Sequence, residues 1–397
     1  MEALLTVTEA LAAVLERARP LAAESVRLDA AVGRVLARDV DATVDLPPFP
    51  SSAMDGFAVR SADTPGTLPI VARIPAGRPA PRALGAGEAM AIATGGVVPE
   101  GADVVMPIEY VVQHDNEVEI LEAVQAGANV RPRGGDVRVG DVVVSAGTRL
   151  GPAQIGALAA AGVAEVESAA RPRVAVLTTG SELRLPGESL GPGQIYEANG
   201  VMLGAALASA GAVVVPFAAV ADDEDAHRAA LERGLGSNVL VTSGGVSVGP
   251  HDLVRRVEAE LGVEEVFWRV AVKPGKPLSF GVRGSTLVFG LPGNPVSALV
   301  CFELFVRPAL LALQGAFDPG PVFALGELLA PIRRNTQRDE FVRARSRVEG
   351  DSVVLEPVLG QESHMIARAA AADTLVFAPR GDGELAAGSV VRYLRLV

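Results

Sequence analysis

The stretch "VTSGGVSVGPHD", Val241 to Asp252, runs a short apolar strand into a glycine-rich turn and ends on an acid. Its surroundings repeat the plan. The strand "RVAVLTT" comes first, then a helix over about 199–210, the strand "AVVVPFAAV" and a helix from Asp223 to Arg233. "NVLVTS" leads through the quoted turn into a helix from about His251 to Glu260. Strands "VFWRVAV", "PLSFGV" and "TLVFG" follow, then a long helix from Pro295 to Leu313. Strands and helices alternating at these lengths predict a parallel α/β sheet with helices on both faces. Ligands of such sheets bind at the carboxyl ends of the strands.

Three glycine-rich loops are expected on that edge: "TTGSELRLPGESLGPGQIYEANG", the quoted turn, and "GLPGNPVSA". Gly244, Gly245 and Gly249 let the backbone approach a ligand, and the helix that follows points its positive end at the same place, which suits phosphate or another oxyanion. A plain tight turn is the alternative for any one of the loops. The spacing is neither GxGxxG nor GxxxxGK[ST], which argues against an NAD site or a P-loop. "GVSVG" does match the Gly-x-Ser-x-Gly elbow of α/β-hydrolases, with Ser247 as nucleophile. Only His251 and His364 follow it as bases, and His251 is too close in sequence to be the usual partner.

"WRVAVKPGKPLSFG" places Arg269, Lys273 and Lys276 on one turn, a cationic island in an acidic chain. Glu182, Asp222 and Asp252 accompany the loops as hard oxygen ligands of the kind Mg²⁺ takes beside phosphate. Asp222 and Asp252 also stand near helix N-termini, where an acid is favourable without any metal.

The chain has 397 residues, 49% hydrophobic and 21% charged, enough for several cores. Thirty-five basic residues against 47 acidic give net charge -12, which argues against nucleic acid as a partner. Four scattered histidines and one cysteine offer no zinc motif, and Cys301 in "VSALVCFELFV" reads as a buried structural thiol. The N-terminus reads as a helix with Thr6 and Glu9 at capping-box spacing and Pro20 as its stop, not as a signal peptide. Glu303 and Arg307 interrupt the most apolar segment, so a soluble cytoplasmic protein without a membrane span is expected.

Texture divides the chain into four parts. Residues 1–40 and 136–170 form a discontinuous linking domain, whose small-residue helix is expected to pack back on the first helix. Residues 41–135 form a β-rich domain, 171–318 the α/β domain, and 319–397 a C-terminal β-barrel. In the β-rich part "PPFPSSAMDGFAVR", "ATGGVVPEGADVVMP" and "RPRGGD" present Asp55, Thr94, Arg131, Arg133 and Asp136, to which pattern alone assigns no role.

Taken in order with "TSGGVSVG", "KPGKPLSFG", "GLPGNPVSA" and "GQESH", these motifs resemble the molybdopterin molybdenumtransferases, the family that includes the E domain of gephyrin. The resemblance runs over about residues 5 to 395. It implies molybdenum cofactor biosynthesis: molybdate and adenylylated molybdopterin as substrates, Mg²⁺ as cofactor, AMP as the leaving product. Carried over by motif, Asp55, Asp136, Glu182, Asp222 and Asp252 are the catalytic candidates, with Glu182 and Asp252 for metal. Thr94, Arg131, Gly244, Gly245, Ser247, Arg269, Lys273, Lys276, Asn294, Ser297, Arg343 and Ser363 are the cofactor-binding candidates. The resemblance also implies a homodimer, with "GQESH" contributed across it, and protein partners in the preceding adenylyltransferase and the recipient molybdoenzymes. Three positions depart from the family pattern: Ser181, Pro250 and Arg269. The α/β part alone would equally suit a molybdopterin adenylyltransferase, and the architecture a non-catalytic cofactor-binding scaffold.

Overall fold

Thr6 caps the first helix as its spacing with Glu9 predicts. The Glu9 N–H donates to Thr6 Oγ1 at 3.2 Å and the Thr6 N–H to Glu9 Oε2 at 2.8 Å, starting α1 (Val7–Arg17). The computed structural model describes residues 4–215, 224–244 and 253–396. Ala10 and Val14 of α1 are buried in one cluster with Leu310 and Leu313. The helix therefore packs on the α/β unit, whereas α2 (Pro152–Ala160) buries Leu158 among Leu28, Leu36, Leu150 and Val166. The expected pairing of these two helices does not occur. α1 has its apolar stripe on Ala10 and Val14 and matches the larger surface.

Two antiparallel ladders build the linking unit, Ala23–Arg27 with Glu165–Ala169 and Val40–Asp41 with Val142–Val144. The chain leaves through the second ladder into the β-rich sheet and returns through it. That sheet has the order Val104–Pro107, Gly56–Val59, Ala89–Ile92, Gly66–Ile74, Glu117–Ile120, Val111–Gln113. At its centre Gly56 is obligatory, because a Cβ there would lie 1.9 Å from the Met106 carbonyl oxygen.

The α/β sheet has the order Val213–Val215, Arg173–Thr178, Val239–Ser243, Thr286–Leu291, Ser279–Arg283, Glu264–Trp268. The first four strands are parallel, and Ser279–Arg283 runs against both of its neighbours. Alternation along the strands separates the faces. Val174, Val176, Val239, Val241 and Phe289 pack with Leu203 and Leu207 of α3 (Asn199–Ser209). Ala175, Leu177, Leu240 and Val288 pack with Leu231 of α4 (Glu224–Gly234) and Val257 of α5 (Leu253–Glu260). Each fully buried leucine contributes about 2 kcal/mol.

"VFWRVAV" is not one strand. It breaks at Arg269, whose φ is 74°, and Val272–Lys273 leaves to pair with Asp339–Glu340 of the C-terminal sheet. The long helix is continuous but changes pitch, from α6 (Pro295–Cys301) through a π-helical turn (Phe302–Val306) to α7 (Arg307–Leu313). By length and composition this helix is apolar enough to cross a membrane, yet 78% of its apolar window is buried in the fold. Glu303, at 3% side-chain exposure, is paired with Arg307 at 2.6 Å.

Five strands close the C-terminal barrel, since Asp339–Glu349 pairs with both Ser352–Pro357 and Thr374–Ala378. Leu328, Val342, Leu355, Val376 and Tyr393 fill it. Phe341, Leu375 and Leu394 face the other way, into the α/β core, and dock the barrel there.

Candidate functional site

The carboxyl ends of three parallel strands converge through a set of short contacts. The Thr179 N–H donates to the Ser243 carbonyl at 3.3 Å, and the Gly244 N–H to that of Leu291 at 3.2 Å. Gly244, at φ 99°, has no room for a side chain, because a Cβ would lie 2.9 Å from Thr179 Oγ1 and 3.0 Å from its carbonyl oxygen. Asn199, the first residue of α3, clamps the edge, its Nδ2 donating to Ser243 Oγ at 2.8 Å and to the Gly293 carbonyl at 2.7 Å. Beside it the buried Glu197 accepts the Gly200 N–H at 2.7 Å. Neither Asn199 nor Glu197 was singled out from the sequence. An Asn at a helix start reads as an ordinary cap, and only the crossing of three strand ends gives it this second task.

Glu182 follows Gly180 on an exposed flap formed by the pairing of Leu183–Arg184 with Ile195–Tyr196. Asp222, Gly245, Ser247 and Asp252 lie outside the described residues, as do Gly249 and Pro250. Among the described residues no group of three or more His, Cys, Asp or Glu side chains is placed to hold a metal.

The cationic turn sits at the same end of the sheet. The Arg269 N–H donates to the Leu278 carbonyl at 2.8 Å and the Val270 N–H to that of Lys276 at 3.0 Å, which closes the turn. Lys273 is held by Glu340 at 2.9 Å, while Lys276 is exposed. Gly275 packs on the core helix at φ 121°, where a Cβ would lie 2.5 Å from Cys301 Sγ. Complete burial pushes the Cys301 thiol pKa up, which fits a packing role. Between this turn and the barrel opens a cavity of about 520 Å³ lined in part by Lys273, Arg333, Asn335, Thr336, Glu340 and Gln361.

The "GQESH" loop docks on the head of α6 within one chain. Asn294 Nδ2 donates to Ser363 Oγ at 2.9 Å, and the Val296 N–H donates to the Ser363 carbonyl at 3.1 Å. Ser363 therefore joins the α/β domain of its own chain. Ser297, one residue on, is buried at 4% exposure. Arg343 lies behind this loop rather than at the surface. It is 1% exposed, and its Nη2 donates to the Gly360 carbonyl at 2.7 Å while Nη1 reaches that of Glu362 at 3.4 Å. Burial holds its guanidinium pKa below the ordinary range, against the raising effect of Glu362. Arg343 shapes the loop that carries Ser363.

A second cluster forms in the β-rich sheet. Residues 51–55 thread between two other loops: the Ser52 N–H donates to the Gly96 carbonyl at 3.0 Å, and the Ala53 N–H to that of Asn129 at 2.9 Å. Arg131 pairs with Ser51 across a short ladder, and the Thr94 N–H donates to Asp55 Oδ1 at 2.7 Å. Asp55, Thr94 and Arg131 are thus brought together, all exposed. Asp136 stands apart on the return crossover, flanked by two residues held by Asp45: Arg133 Nε at 2.5 Å and the Val139 N–H at 2.9 Å. Those contacts hold the Asp45 carboxyl below its usual pKa, the Val139 N–H first and then Arg133. Among the described residues no hydrogen bond or ion pair joins residues 47–135 to residues 171–396.

The comparisons cover both clusters. Residues 5–162 match the MoeA N-terminal region (domain I and II), 175–312 a probable molybdopterin binding domain, and 326–396 the MoeA C-terminal region (domain IV). Molybdopterin molybdenumtransferase 2 of Mycobacterium tuberculosis (strain ATCC 25618 / H37Rv) is 38% identical over 393 residues, 95% of each chain. The molybdopterin molybdenumtransferase of Haemophilus influenzae is 33% identical over 98% of each. A solved molybdopterin biosynthesis MoeA protein of Pyrococcus horikoshii superposes with TM-score 0.80 at 32% identity, covering 99% of both chains. With identity of this level running through all its domains, the chain belongs to the molybdopterin molybdenumtransferase family.

Proposed function

We propose that this protein inserts molybdate into adenylylated molybdopterin and releases AMP. The observation that carries the reading is the convergence of an anion cradle on one sheet edge. Gly244, the Arg269, Lys273 and Lys276 turn, and the Asn294–Ser363 junction gather there in a chain of net charge -12. Arg269, Lys273 and Lys276 offset the charge of phosphate and molybdate oxygens, and Asn294, Ser297 and Ser363 orient them. The pterin brings both sulfurs for molybdenum, so a chain whose one thiol is buried lacks nothing for the metal's soft ligands. An oxygen of water or of molybdate attacks phosphorus as the phosphoanhydride P–O bond breaks and AMP departs. The two dithiolene sulfurs bond to molybdenum in place of a molybdate oxygen, which leaves as water with the dithiol protons.

Glu182 fits a site for Mg²⁺, since its carboxylate is exposed beside the cradle and has no ion pair among the described residues. Glu182, with Asp222 and Asp252 as the remaining candidates, would hold the ion, which would supply charge neutralisation for the phosphates as AMP is lost. Asp55, Thr94 and Arg131 from the β-rich domain, and Asp136 from the crossover that leaves it, would complete the site from a second copy. The lack of hydrogen bonds and ion pairs between the two clusters, among the described residues, supports completion of the site by a second copy in a homodimer. The reading further places the enzyme in the cytoplasm, with adenylyltransferase and molybdoenzymes as its protein partners.

Single-turnover release of AMP, with molybdate and Mg²⁺ each added or withheld, tests the reading. Release that requires molybdate and leaves molybdenum on the pterin supports it. Tight pterin binding without release would overturn it in favour of a scaffold.

A further inference from the structure

Trp268 is the chain's one tryptophan and stands in the row that leads to the cradle. It pairs with Ser279, Ser279 with Gly290, and Gly290 with Thr242. Glu264–Trp268 runs in the same direction as Thr286–Leu291, because both are antiparallel to the strand between them. Its carboxyl end therefore opens on the site edge. The next residue, Arg269, holds a left-handed backbone that a non-glycine side chain rarely adopts, and such outliers persist where surrounding contacts fix them.

One of those contacts is the indole. The Arg269 guanidinium carbon lies 3.6 Å from the ring centroid, and that of Arg255 lies 4.0 Å from it. Arg255 belongs to α5, and Glu265 anchors it through Nε at 2.9 Å and Nη2 at 2.6 Å. Arg269 has no carboxylate or carbonyl partner for its side chain among the described residues, in contrast to Lys273 on Glu340. The guanidinium rests against the indole while its donors have no partner among the described residues. Trp268 Nε1–H is buried without an acceptor, a cost that Phe or Leu would avoid. What the indole supplies is its face, the strongest of the aromatic rings for a cation.

We propose that Trp268 is a positioning residue that holds the Arg269 guanidinium flat, with its N–H donors presented to a tetrahedral oxyanion of the molybdate class. The proposal rests on the reading of this edge as an oxyanion site.

The test uses the full chain with inorganic molybdate, followed by equilibrium dialysis and by the emission of the single tryptophan. Molybdate should change the emission of the wild type. Trp268→Leu should weaken binding about tenfold and Trp268→Phe less, in line with a cation–π contact in a desolvated place. Arg269→Ala should weaken binding at least as much, and adding Trp268→Leu to it should cost nothing further, a non-additivity that general loosening would not produce. Should Trp268→Leu fail to fold, Arg269→Lys keeps the charge, loses the planar stack, and should show less than about half the wild-type emission change. Unchanged emission at saturating molybdate overturns the proposal. So does wild-type binding by Trp268→Leu beside weakened binding by Arg269→Ala, a result that leaves the oxyanion site standing. Wild-type binding by Arg269→Ala, Lys273→Ala and Lys276→Ala alike would remove the oxyanion site itself.

Discussion

Asn294 and Ser363 are 69 residues apart and meet at 2.9 Å, the amide donating to the hydroxyl oxygen. Through this contact the barrel loop is seated on the first turn of α6, and two domains share one wall of the cradle. Removing either side chain should cost about 0.5–1.5 kcal/mol. A double-mutant cycle of Asn294→Ala and Ser363→Ala, read by urea unfolding and AMP release, should show coupling in both measurements. Strict additivity in both would mean that the contact contributes to neither.

Gly275→Ala should destabilise the chain by about 2–4 kcal/mol, through overpacking against the core helix and a positive φ. The new Cβ would lie 2.5 Å from Cys301 Sγ. Adding Cys301→Ala relieves the clash but not the backbone strain, so denaturation of the double variant should recover part of the loss. Full recovery would show that φ 121° costs nothing at this position.

Acid should weaken the crossover that carries Asp136. The folded pKa of Asp45 is lowered by the Val139 N–H and then by Arg133, so its stabilisation is present above the unfolded value of about 3.9. It is lost as pH falls through the folded pKa. In melting curves between about pH 2 and pH 6, the gap between wild type and Asp45→Asn should be constant at the upper end and shrink at the lower. A gap that stays constant to the acid end would remove the carboxylate from this role.

Arg343→Lys separates positioning from direct binding. A lysine cannot span the Gly360 and Glu362 carbonyls as the guanidinium fork does, so unfolding should become easier by about 1–3 kcal/mol, and AMP release should slow with it. Unchanged stability with molybdate binding abolished would instead make Arg343 a ligand.

Much of the architecture follows from local chemistry. Thr6 and Glu9 at capping-box spacing start α1, and the continuous apolar runs of Arg173–Thr178 and Val239–Ser243 specify strands covered on both faces. Gly244 could be read as a close approach because glycine alone tolerates it. The break at Arg269 was not legible: "VFWRVAV" is a good strand by composition, and only the pull of Val272–Lys273 toward the barrel sheet divides it. Trp268 was passed over for the same reason, as a lone aromatic in a strand.

By itself, then, the sequence determined the elements, their order and the residue types that an anion cradle needs, because caps, alternation and glycine conformations act over a few residues. Tertiary structure alone decided which of those residues meet. It seats Ser363 on Asn294 of the same chain, buries Arg343 behind the loop, ties three strand ends through Asn199 and lays Arg269 on Trp268. Such contacts join positions from one to tens of residues apart, and they depend on how whole domains pack, which no local pattern encodes.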